Sequence, residues 1–113
     1  MGKALELGPD YPDAYLFRGV YLERLKKEEE ARQCYARAAE LFGRQAKENP
    51  SPEAATHHAI AVYLGTGKVG GLSELNTIIK KYPSYQPAQY LRDKVLRDER
   101  NFFADWVAGQ SKR

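Results

Sequence analysis

Residues 12–42 read PDAYLFRGVYLERLKKEEEARQCYARAAELF. Proline is tolerated in the first helical turn, so Pro12-Asp13 opens a helix. Tyr15, Gly19, Leu22 and Leu25 then recur every three or four residues, which lays one apolar stripe along it. Lys26-Lys27 interrupts the stripe. From about Glu28 a second stripe runs through Ala31, Cys34, Tyr35, Ala38, Leu41 and Phe42. Two helical stripes with so short a break between them predict an antiparallel helix pair.

The same reading extends outward. The second helix meets no stop before Asn49-Pro50-Ser51-Pro52. A third begins at Pro52-Glu53, carries Ala55, Ala59, Val62 and Tyr63, and ends at Gly65-Thr66-Gly67. A fourth spans 72–82 with Leu72, Leu75, Ile78, Ile79 and Tyr82 on one side, and Pro83 closes it. A fifth opens at Pro87 with Tyr90, Leu91 and Val95. A short sixth carries Phe102, Phe103, Trp106 and Val107. No long alternation of apolar and polar residues marks a strand. The expectation is an all-α chain of five to six helices.

A period underlies the pattern. ALEL at 4–7 returns as AAEL at 38–41, an interval of 34 residues. Tyr15, Arg18-Gly19, Leu22, Ala31 and Tyr35 match the order of aromatic, Leu-Gly, aromatic, and Ala with an aromatic four residues on. In this the chain resembles the tetratricopeptide repeat family. The second unit fits less closely. Ala59-Ile60, Tyr63, Gly67 and Pro83 hold their places, but Leu72 and Asn76 stand where Ala and an aromatic belong. The resemblance implies a single domain over 1–113, a short right-handed α-solenoid. Residues 1–9 would end a preceding repeat, 12–49 form the first, 52–83 the second, and 86–110 a third first-helix with a cap. The missing first helix of the repeat that 1–9 would end favours excision from a longer array over completion by another chain. Tyr15 and its counterpart Thr56 are 41 residues apart, seven more than the period. That predicts an overlong second helix projecting by ~10 Å.

Chemistry-bearing motifs are few. GTGKVGG at 65–71 has neither the spacing nor the preceding strand of a phosphate loop, and reads as a helix–helix turn. His57 and His58 are adjacent, so on a helix they diverge by about 100° and cannot share one ion. The single Cys34 gives no disulfide and fits a reducing compartment such as the cytoplasm. Net charge is +3, and no stretch is long and apolar enough to span a membrane. Basic residues alternate with acids, which disfavours nucleic acid; Tyr82, Tyr85 and Tyr90 beside Lys80 and Lys81 form the patch most worth testing. No catalytic residue, metal or cofactor is expected.

The resemblance implies a peptide- or helix-binding groove lined by the first helix of each unit. Its residues would be Leu16, Phe17, Val20, Glu23 and Arg24, then His57, His58 and Ala61, then Tyr90, Lys94 and Arg97. Relatives that clamp acidic C-terminal peptides use Lys and Asn where Leu16 and Val20 stand, so an apolar groove with a basic end is expected instead. The implied function is a protein-interaction module. Two alternatives stand beside it: self-association, as a homodimer, through Leu5 and Leu7 or through Phe103 and Trp106, and an accessory region of a larger enzyme.

Overall fold

The structure, a computed structural model, describes residues 11–111. Leu5, Leu7 and the expected end of a preceding repeat lie outside them. Among the described residues there are six helices and no strand: α1 (Pro12–Arg24), α2 (Glu28–Glu48), α3 (Pro52–Thr66), α4 (Lys68–Lys81), α5 (Gln86–Leu96) and α6 (Arg100–Ser111). None is long and apolar enough to cross a membrane. Helices α1 to α5 pack each on the next in adjacent pairs. α6 departs from this order, turning back across the molecule onto α1 and also touching α3 and α5.

Local chemistry accounts for the boundaries. Pro12 and Pro52 start α1 and α3, and the Ser51 hydroxyl caps α3 by accepting the Ala54 N–H at 3.0 Å. Glu28, Glu29 and Glu30 in the first turn of α2 and Lys47 in its last complement the helix dipole. The turn between α3 and α4 is narrower than expected. It is Gly67 alone, at φ 105°, and residues 68–71 are already helical. The α1–α2 turn reverses at Lys26, φ 67°, where the Lys27 N–H reaches the Leu22 carbonyl at 2.9 Å and the Lys26 N–H the Glu23 carbonyl at 3.0 Å. α2 is the longest helix, with 21 residues, and beyond Phe42 none of its residues is buried.

Tyrosines packed on glycines set the interhelical distances. The buried Tyr35 of α2 lays its ring on Gly19 of α1, where a methyl group would come within 2.6 Å of Cε1. Its Cβ faces Gly65 of α3, 3.1 Å from the place a methyl group would take there. Gly19 therefore accommodates Tyr35. Tyr63 of α3 sits in the same manner on Gly71 of α4, 2.8 Å from the place of a methyl group. Gly71 and Leu75 thus follow Ala59 at the intervals by which Ala31 and Tyr35 follow Gly19. Leu72 and Asn76 are one residue out of that register. Asn76 lies at the surface, accepting a hydrogen bond from Arg92 at 3.2 Å, while Leu75 and Ile78 are buried.

Two substitutions test these devices. Gly19→Ala raises helix propensity, yet it presses on a ring that cannot retreat, and should lower stability by about 1–3 kcal/mol in thermal or urea unfolding. Lys26→Gly relieves a left-handed non-glycine residue and should raise stability by about 1 kcal/mol in the same assay.

Candidate functional site

The site assembles around one cation. Arg100, the first residue of α6, directs Nε to Glu23 Oε2 and Nη2 to Glu23 Oε1, both at 2.8 Å, forming a two-pronged pair across 77 residues of chain. Nη2 also donates to the Leu64 carbonyl at 2.6 Å, near the end of α3. The guanidinium carbon stands 5.8 Å from the Tyr35 ring centre and 6.0 Å from that of Tyr63. Tyr35 donates its hydroxyl proton to Glu23 at 2.7 Å, and Tyr63 donates to Asp98 at 2.7 Å. Burial chiefly, and then these carboxylate partners, push both phenols upward, so they remain neutral donors. The Arg100 hydrogen bonds hold the Glu23 carboxyl below its ordinary range, with Tyr35 adding to them and burial opposing.

From Arg100 an aromatic row follows α6. Phe102 meets Tyr90 of α5 edge-on at 5.9 Å, and Phe103 tilts against Tyr63 of α3 at 4.9 Å. Trp106 stacks on His57 at 5.7 Å, and His57 in turn stacks on Phe42 of α2 at 5.4 Å. Lys94 Nζ lies 5.3 Å from the Tyr90 ring centre and 5.1 Å from that of Phe102, with Glu99 at 3.3 Å. At the exposed rim Arg24 pairs with Asp105 at 2.7 Å. One face of α1, α3 and α5 therefore holds α6 through charge at its start and aromatic contact along its length.

Of the residues expected to line a groove, Glu23, Arg24, His57, Tyr90 and Lys94 come together here, each against α6. Leu16 and Val20, both 2% exposed, and Ala61 at 0% do not line an open surface. They belong to the core, because α1 and α3 are covered by α6 as well as by their neighbours in sequence. Phe17 is half-buried against that core. His58 faces α4, with Nδ1 3.3 Å from Glu74, and Arg97 pairs with Asp93 at the surface. Phe103, expected at a self-association edge, is 1% exposed and buried, while Trp106 is half-buried. Tyr82 and Tyr85 of the aromatic patch pack partly against the core.

Sequence reasoning missed Arg100 and the hydroxyls of Tyr35 and Tyr63. The signal was present in part. A tyrosine on a buried stripe needs a partner for its O–H, but nothing local shows that the partner lies at the opposite end of the chain. A cavity of about 100 Å³ beside this node is lined by Glu23, Glu28, Arg32, Tyr35, Gly65 and Arg100. It is smaller than the ~300–1,000 Å³ of small-molecule sites. Half-buried Cys34 has its thiol pushed up by burial, which keeps it a poor nucleophile.

A carboxyl group lowered on folding adds stability that is complete above its ordinary value of 4.5 and fades as pH falls through the lowered one. Acid should therefore loosen α6 below about pH 4.5, read as a change in the fluorescence of Trp106, the one tryptophan in the chain. Glu23→Gln should remove this part of the pH dependence. It should also cost about 2 kcal/mol at neutral pH, the scale of a hydrogen bond to a charged group.

No protein-family model, no curated protein and no solved structure matches this chain.

Proposed function

We propose that this chain is a non-catalytic protein-interaction module of the tetratricopeptide kind, and that the face shared by α1, α3 and α5 recognises an amphipathic helix. The single observation that carries the reading is the seating of α6 on that face. Its aromatic side meets Tyr63, His57 and Tyr90, and Arg100 and Asp105 pair with Glu23 and Arg24. A helix laid into an apolar, charge-flanked face is a recurrent mode of recognition, in which buried anchors supply affinity and the charges set orientation. The match of Tyr15, Gly19, Ala31 and Tyr35 to the family pattern supports the same reading from the sequence side.

The test uses the full chain with Arg100→Ala and Trp106→Ala, which loosen its own α6, and a fluorescent peptide of residues 99–111. Saturable binding is expected in the micromolar range, near −8 kcal/mol, and at least tenfold weaker when Glu23→Ala is added. A native-sequence peptide that fails to saturate, or a scrambled one that binds equally, overturns the reading.

A further inference from the structure

The connection that brings α6 back is unlike the three before it. The turns after α2 and α4 contain proline, and that after α3 is glycine; Arg97, Asp98 and Glu99 include neither, a feature shared with the α1–α2 turn at Lys26. The reversal depends on Asp98 at φ 54°, a left-handed conformation that side chains other than glycine rarely adopt. Two local backbone bonds and one tertiary contact hold it there. Its N–H reaches the Val95 carbonyl at 2.8 Å, the Glu99 N–H reaches that of Lys94 at 3.0 Å, and its carboxylate accepts the Tyr63 hydroxyl. Between Pro87 and Gly109 the sequence has no helix breaker. With Asp98 released, α5 and α6 can run on as one helix of about 39 Å.

The seat of α6 does not depend on which chain supplies it. Its fullest contact is with α1, the helix most distant from it in sequence, and it touches α5, its own predecessor, far less. The Glu23–Arg100 and Arg24–Asp105 pairs and the His57–Trp106 stack would form equally with the α6 of another copy. Short connections under strain favour such exchange, because the open form relieves the turn, at the loss of its own bonds, and keeps the contacts α6 makes with its seat.

We propose that a second copy of this chain fills the seat: two chains exchange α6 reciprocally, with residues 97–99 straightened into helix, to form a twofold dimer. Each chain donates Arg100, Phe103 and Trp106 to the other's α1 and α3. The inference rests on the helix-binding face described above and names its occupant. Monomer dominates at low concentration, and interconversion is slow because Phe103 must leave the core.

Charge reversal tests it on full-length chains. Glu23→Arg alone sets two arginines against each other, and Arg100→Glu alone sets two glutamates. Refolded together, the two variants can satisfy both nodes only by exchange. A 1:1 heterodimer of about twice the 12.8 kDa chain mass is expected by size exclusion with light scattering. The double variant Glu23→Arg/Arg100→Glu, with its pair restored within one chain but without the Leu64 bond, should recover Trp106 emission part of the way from either single variant to wild type. A mixture that stays at monomer mass while the double variant recovers overturns the exchange and leaves the helix-binding face standing. A double variant that does not recover overturns both. In the otherwise native chain, Asp98→Ala should raise the dimer fraction after concentrated refolding about tenfold, and Asp98→Gly should lower it. Tyr63→Phe removes the same hydrogen bond while leaving the residue at 98, and so its left-handed strain, unchanged. If the two Asp98 variants move together with Tyr63→Phe, the strained connection is not the cause and the proposal falls.

Discussion

A half-buried guanidinium needs charge and acceptors around it, and Arg100 finds them in three places at once. Glu23 comes from α1, the Leu64 carbonyl from the end of α3, and the faces of Tyr35 and Tyr63 from α2 and α3. These contacts bind the last helix to the first and to the two between. Both side chains are about a third exposed, so water screens part of the cost of losing either partner, and the remainder makes Arg100 and Glu23 depend on each other. The node also satisfies the Tyr35 hydroxyl through Glu23, and the neighbouring Asp98 satisfies that of Tyr63. No buried side-chain polar atom among the described residues is left without a partner.

Around this node the tyrosine–glycine contacts work as spacers. Gly19 and Gly65 admit Tyr35 between α1 and α3, and Gly71 admits Tyr63 against α4. The rings reach inward only because these glycines leave room, and reaching inward brings their hydroxyls to Glu23 and Asp98. Packing and polar chemistry are thus coupled. Widening a helix–helix contact displaces a hydroxyl from its carboxylate and shifts the surface under Arg100. α6 completes what α1, α3 and α5 leave open, placing Phe103, Ala104 and Val107 in one core cluster with Leu16, Val20 and Ala61.

Much of the helical plan was legible because it is written in local terms. Pro12, Pro52 and Pro87 mark starts, Gly67 and Pro83 mark stops, and the stripe from Ala31 to Phe42 carries the helical period directly. The missing stop before Asn49 correctly implied the long α2. In the second unit Leu72 and Asn76 keep the expected interval from Ile60, while Gly71 takes Tyr63 against it and Leu75 is buried one residue earlier in the register. A small residue such as Gly71 declares its role only through the large side chain set against it. Leu16 and Val20 were placed on an open surface for a related reason. A helix pattern reports which sides are apolar, but not how many neighbours cover them.

By itself, then, the sequence determined the helices, their pairing along the chain and the apolar stripes that join them, because caps, breakers and a 3.6-residue period act within a few residues of one another. Only the tertiary structure decided that α6 returns to α1. That choice rests on Arg100 meeting Glu23 across 77 residues and on Asp98 accepting a left-handed turn. Such contacts have no local signature, since each partner alone is an ordinary surface charge until folding brings the other within 3 Å.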